Sequence, residues 1–459
     1  MALGLDATQL RRRIDLSIAL SLIGLLAVYA CTFPVIGYDS WAYHLPFSSY
    51  LFNIGGGKGT FELCAAIANR YRGFPMLSEF TQGLMWKLTG TIRSVVVPQL
   101  LVLAGFVILV QRRLAVSPVL MLMACCMSPL LIIHAVASYN DLLAGLLLSC
   151  GLVLIVEVLA EKKNVAAGSW LLLGCVFAAA SMTKFQSTLV ASVIMVIFAI
   201  ALFLQGRLTW SCLFWIFAIG VAVNAWEIRN LLVHSNPFYP ITVELAGKTL
   251  FSGPEQNYVV RPEYGPHIGS FYFITSITEF DWIKRGVVPA YSLEMGAGDI
   301  SRMFGQSRTG GFGQAYVIAT FACLIAQTLG WRRIDRTQRT LLGLSIVLLI
   351  ITSFMPQSHE LRYWLYLPLI LNVSTIRFIS MHGIGVVGNL LIIAPFVVMA
   401  LASSWGYVWD SRYMSASVPD SYVNSGPAEK IVGYSEYIDF RNSRAVTDQN
   451  TRLVCRKSS

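Results

Sequence analysis

The sequence predicts an all-α fold, a polytopic transmembrane helical bundle of about 11 helices. Three observations point there. Hydrophobic residues make up 56% of the 459 positions and charged residues only 13%. That is about half the roughly 25% charge of a soluble domain, too little to cover a water-facing surface. Apolar runs of membrane length recur along the chain, and the mean hydropathy is +0.63. The net charge of +10 sits in short links between those runs, as the positive-inside rule expects. The same placement argues against nucleic acid as a partner and favours the lipid bilayer and an anionic lipid or lipid phosphate.

Taken in order, the first apolar run spans Ile14 to about Ile36 and follows Arg11, Arg12 and Arg13. It is too long for a signal-peptide core and lacks a small-x-small cleavage site, so it reads as a retained helix with the arginines cytoplasmic. Residues 37–92 form a long outside loop with interfacial helices. Helices follow at about 93–111, 115–135 and 141–160, with Arg112, Arg113, Lys162 and Lys163 marking the inside. Two more, about 168–183 and 187–205, meet in an outside turn at Lys184. A single long helix there would put Arg332 and Arg333 outside, so two are expected. A helix at about 209–226 leads to a second outside loop, 227–312. The last four helices are expected at about 313–330, 340–355, 361–378 and 384–405. Residues 1–405 thus form one transmembrane module, and the polar tail 406–459 lies outside. Of nine cysteines, most fall inside apolar runs and read as small packing residues. Cys64 and Cys455 share the outside and could pair if that side is oxidising. The stretch Gly55-Gly56-Gly57-Lys58-Gly59-Thr60 lacks phosphate-loop spacing and reads as a turn.

Ionisable residues at membrane depth are costly, and they mark functional candidates. Four groups stand at outside helix ends. Asp39, in GYDSWAYHLP with His44 five residues on, suits a general base, since a partly desolvated carboxylate is tuned upward toward the working range. A helix cap beside interfacial aromatics is its plain alternative. Asp141, after Asn140, would orient an acceptor or hold a divalent metal with Asp39; capping its helix is again the alternative. Lys184, in SMTKFQ, either holds an anion or snorkels to the interface. His359, Glu360, Arg362 and Tyr363 open the tenth helix, where Arg362 offers a planar fork to a phosphate or pairs with Glu360. Arg229, where the seventh helix leaves the membrane ahead of Asn236-Pro237-Phe238-Tyr239-Pro240, fits a rigid exit better than catalysis, but joins the substrate-binding candidates. Acids beside cations on one face suit transfer from a lipid-linked phosphate: the acid activates a hydroxyl and the cations neutralise the departing phosphate.

These residues resemble the GT-C superfamily, polytopic glycosyltransferases that use polyprenyl-phosphate sugars. The resemblance rests on Asp39 in YDSWAYHLP after the first helix, on the RN…NPFYP string at 229–240, and on the pattern of Glu360, Arg362, Tyr363 and Pro368. It spans about residues 10–380 through short, degenerate strings. It implies Asp39 as the catalytic base, Lys184 and Arg362 facing the donor phosphate, and inversion at the anomeric carbon. Several members carry two adjacent acids after the first helix. Here Ser40 follows Asp39, so a metal is not implied; Mg or Mn is the ion a carboxylate pair would call on.

The resulting expectation is an inverting glycosyltransferase moving a sugar from a polyprenyl-phosphate donor to a glycan, glycolipid or protein acceptor. It would sit in a bacterial inner membrane with its site facing the periplasm, roofed by loops 37–92 and 227–312. A transporter or flippase for an anionic lipid-linked substrate is the rival. Transporters often show inverted repeats and helices broken at the midplane, whereas no repeat is visible here and the charges gather at one face.

Overall fold

The computed structural model describes residues 7–32, 40–54, 65–161, 165–245, 248–255, 273–274, 276–277, 312, 314–355, 358 and 360–382. The chain is built from helices: α1 (Ala7–Thr32), a π-helical turn (Ser40–His44), α2 (Leu45–Phe52), α3 (Ala65–Gly73), α4 (Leu77–Thr89), a 3-10 turn (Ile92–Val96) and α5 (Val97–Leu114). Next come α6 (Pro118–Cys126), α7 (Pro129–Val136), α8 (Asp141–Ala160), α9 (Ala167–Thr183), α10 (Phe185–Leu204), α11 (Trp210–Val223) and α12 (Ala225–His234). A two-stranded antiparallel hairpin, β1 (Val243–Leu245) and β2 (Lys248–Phe251), precedes α13 (Gln314–Leu329), α14 (Arg336–Ser353), a 3-10 turn (Leu361–Trp364) and α15 (Tyr366–His382).

Among the described residues four helices are long and apolar enough to cross a membrane, or six if each of two bent pairs counts as one span. Shorter apolar helices, Ala167–Thr183, Tyr316–Leu329 and Tyr366–Met381, pack with them. Large apolar side chains such as Leu25, Phe203, Trp210, Phe217 and Leu329 face outward, as a lipid-facing surface requires. The protein is an integral, multi-pass membrane protein. The axis of the bundle is α8: 78% of its apolar window is buried, against 17% for α1, and a helix apolar all round belongs in a core. The small residue Gly145 lets the Leu365 turn approach α8, since a Cβ there would lie 2.9 Å from the Leu365 Cβ.

Contacts between helix ends confirm the expected alternation. At one end Gln111 donates to the Arg12 carbonyl (2.8 Å), Arg113 pairs with Glu157 (2.7 Å) and Arg207 donates to the Val158 carbonyl (2.8 Å). There too Arg377 donates to the Leu114 carbonyl (3.2 Å) and forks onto Asp335 (2.9 and 2.8 Å). At the other end Gln99 gathers the carbonyls of His134, Ala135 and Ala137 at 2.8–3.0 Å. Arg12, Arg113, Arg207 and Arg377 therefore share one end. Lys184 does break the chain between α9 and α10, with extended dihedrals (φ −160°, ψ 136°) that neither helix can continue.

Several expectations are corrected. The helix expected over 115–135 is a pair, α6 and α7, bent by 103°; the break precedes Pro129, which has no N–H to continue a helix. The helix expected over 209–226 bends by 52° at Asn224 and runs on to His234, so residues 227–234 are helical rather than loop. The Asn224 side chain takes the Gly220 carbonyl at 2.8 Å, competing with the helix's own bonding. The first helix begins at Ala7 and takes in Arg11–Arg13, and the expected 361–378 helix opens with a 3-10 turn and runs from Tyr366. The 37–92 loop holds helices, as expected, and the start of the 227–312 loop holds the hairpin. The two loops dock: Arg70 forks onto Glu255 (2.9 and 2.9 Å) and Tyr239 donates its hydroxyl to Asn69 (2.8 Å). The expected 384–405 helix, the 406–459 tail, Cys64, Cys455 and the Gly55–Thr60 stretch lie outside the described residues.

Two outcomes follow from this packing. In a cysteine-free background, Lys87→Cys and Arg112→Cys should react with an impermeant maleimide from opposite sides of the membrane; labelling from the same side would break the alternation. Gly145→Val should lower stability by about 1–3 kcal/mol through overpacking against Leu365, read as a lower Tm in detergent.

Candidate active site

The site is assembled from chain breaks. Asn140 donates to the Thr183 carbonyl (3.2 Å), tying the start of α8 to the end of α9. That places Asp141, the first residue of α8, beside Lys184 at the next break, and the Lys184 ammonium donates to Asp141 Oδ1. Both side chains are largely buried, Asp141 almost completely. The second Asp141 oxygen faces His134 Nε2 at 3.6 Å, an electrostatic contact rather than a hydrogen bond. His134 Nδ1 lies 2.8 Å from the Leu130 carbonyl, to which it must donate, so the ring's orientation is fixed.

A cage of rings surrounds the pair. Lys184 Nζ lies 3.9 Å from the centre of the Tyr363 ring, a cation–π contact. The Arg362 guanidinium stands 5.0 Å from the Tyr363 ring and 5.9 Å from that of Tyr139, and donates to the Tyr363 hydroxyl (3.2 Å). Its charge also reaches Asp141. Tyr139 is buried between His134 (5.3 Å) and His44 (6.3 Å, edge-on). His44 Nδ1 in turn lies 2.6 Å from Glu79 Oε1, with the two side chains 1% and 3% exposed. So buried an acid must take donors, and the imidazole supplies one.

Asp141, Lys184, Arg362, Tyr363 and His44 are therefore brought together from four chain segments. Asp141 does not cap its helix: Asn140 holds the cap position, and the carboxylate turns to Lys184. Lys184 turns inward to that acid rather than snorkelling outward. Glu360 precedes the 3-10 turn and accepts the Tyr363 N–H through its carbonyl (2.9 Å). Arg229 donates to the Arg72 carbonyl (2.6 Å) and to Asn230 (2.8 Å) and packs on Trp226 (4.9 Å). It is a strut between α12 and the end of α3. Asp39 and His359 lie outside the described residues.

The sequence reading missed His134, Tyr139 and Glu79. A histidine inside the apolar run LLIIHAV was a visible signal; Glu79 had none, since its partner is 35 residues away. Among the described residues no group of three His, Cys, Asp or Glu is placed to hold a metal ion. The oxygens of Asp141 face Lys184 and His134, so the described residues do not fit a shared divalent ion.

Fold and site define a polytopic membrane protein with a caged ion pair at the end opposite Arg12, Arg113, Arg207 and Arg377. No protein-family model matches the chain, and no curated protein matches it. Two solved structures align with it at 10% identity and a TM-score of 0.49: ArnT from Cupriavidus metallidurans bound to undecaprenyl phosphate, and the same protein in the apo state. The alignments cover 96% of this chain and 75% and 74% of those chains.

Removing one partner of the caged pair should cost more than removing both. Lys184→Ala strands a buried carboxylate and should destabilise by about 3 kcal/mol, whereas the double replacement Asp141→Leu with Lys184→Met should recover much of that loss. Thermal unfolding in detergent reads the difference. Equal losses in the single and double variants would show that the pair is not coupled.

Proposed function

We propose that this protein is an inverting glycosyltransferase that moves a sugar from a polyprenyl-phosphate carrier to an acceptor hydroxyl. The acceptor is a glycan, a glycolipid or a protein at the outer face of a bacterial inner membrane. The observation that supports this best is the meeting of Lys184 and Arg362 around Asp141 at the bundle end opposite the basic residues. By the positive-inside rule the basic end is cytoplasmic, so the site opens to the periplasm. A transporter would place its polar groups near mid-bilayer, whereas these stand at helix ends.

In this reading Asp39 takes the proton of the acceptor hydroxyl as its oxygen attacks the anomeric carbon. A new carbon–oxygen bond forms from the far side, the bond to the phosphate oxygen breaks, and the lipid phosphate leaves with the electron pair. Charge grows on that phosphate as the bond breaks. Lys184 and Arg362, held by the Tyr139 and Tyr363 rings, stabilise it there. Asp141 keeps the lysine in position, and the docked loops limit water at the reacting carbon.

A screen of synthetic polyprenyl-phosphate sugars, read by release of free lipid phosphate, tests the reaction. Turnover should fall by about 10²–10⁴-fold in Asp39→Asn and by about 10²-fold or more in Arg362→Ala, with the protein still inserted. An active Asp39→Asn variant removes the base, and no lipid phosphate from any donor removes the reaction.

A further inference from the structure

Glu227 lies on α12, three residues past the Asn224 break. It is 6% exposed, and no hydrogen bond of full geometry reaches either carboxylate oxygen. Thr188 of α10, 5% exposed, faces it as a weak hydrogen-bond partner, its hydroxyl making no bond of full geometry. The flanking residues tie α12 to the end of α3: Trp226 and Asn230 both donate to the Gly73 carbonyl, at 2.6 and 2.8 Å. Gly73 is the residue that fits there, since a Cβ would run into the Tyr239 carbonyl.

These two groups lie near the caged pair along α10. Lys184, at the cap position of α10, and Thr188 are four residues apart, about one helical turn. One turn further, Ser192 accepts from Asn224 at 3.2 Å. Thus Lys184 at the cap of α10 and Thr188 and Ser192 within it follow one another at four-residue spacing, and Asn224 and Glu227 meet Ser192 and Thr188.

A buried carboxyl met only by one loosely placed hydroxyl is destabilising, and such groups persist where a ligand supplies further donors. A cation is a poor occupant, because Lys184 is one turn away and Arg362 stands on the same tyrosine ring as that lysine. Neutral hydroxyl donors suit both the carboxyl and the threonine. We infer that Glu227 and Thr188 form the subsite for the sugar ring of the donor, accepting hydrogen bonds from its hydroxyls one helical turn from the phosphate at Lys184. The inference rests on the donor reading above and adds the residues that distinguish one sugar from another.

The test compares full-length wild type, Glu227→Gln and Glu227→Leu in nanodiscs. It measures Kd for sugar-free polyprenyl phosphate and for the same lipid carrying a hexose, together with the Tm of each ligand-free protein. Sugar-free carrier should bind all three proteins within about twofold. The hexose-bearing carrier should bind Glu227→Leu about tenfold or more weakly than wild type, while the ligand-free Tm of that variant stays level or rises. Unchanged hexose affinity with normal carrier binding overturns the subsite alone. A lowered ligand-free Tm in both variants overturns it too, because the carboxyl is then structural. Wild type that binds neither lipid overturns the donor reading and the subsite together.

Discussion

Asp141 and Lys184 neutralise one another where neither could be left alone. Charges at a membrane boundary, walled by apolar helices, lose most of their hydration and must find partners inside the protein. Each stands at a chain break, so the pair can form only if α8, α9 and α10 stop and start at the same level. The Asn140 bond to Thr183 sets that level. Gly145, one turn into α8, brings the 361–364 turn close enough for Tyr363 and Arg362 to complete the cage. The electrostatic demand of two residues thereby fixes the relative height of four helices.

The two ends of the bundle solve the same problem differently. At the basic end, Arg377 satisfies its donors on Asp335, Gln338 and the Leu114 carbonyl, and Gln338 donates to Gln327 and Ser374. That network holds the charge of Arg377 within the protein, with the Gln327 amide nitrogen its one unpartnered member, and suits a lock. At the opposite end, Ser40, Glu79, Gln82, Ser138 and Glu227 each keep at least one buried polar atom without a partner. Leaving so many donors and acceptors unfilled costs stability, and it is the end where the loops dock and the cage stands.

Much of this was legible in the sequence, for identifiable reasons. Apolar runs and arginine positions gave the alternation of ends, because lipid exposure and the positive-inside bias act on each segment separately. Asp141, Lys184 and Arg362 stood out because charges at apolar helix ends are rare. Their pairing was not legible: capping and snorkelling are the local solutions, and choosing between those and an ion pair depends on which helix ends lie adjacent. The bend at Asn224 escaped notice because the residues on both sides are apolar, and the competing bond to Gly220 is a matter of one side chain. His44 was a substrate-binding candidate from the sequence, but its partner Glu79 is an unremarkable polar loop residue until folding buries the two together.

The central claim is that carrier phosphate binds at the caged end of the bundle. Photo-crosslinking with a polyprenyl phosphate that carries a diazirine next to the phosphate tests it most directly, with labelled peptides mapped by mass spectrometry. Labelling is predicted on the peptides around Lys184 and around Arg362–Tyr366, competed by unlabelled carrier. Competable labelling confined to the peptides around Arg112, Arg207 and Arg332 would contradict it, because the phosphate would then sit at the basic end.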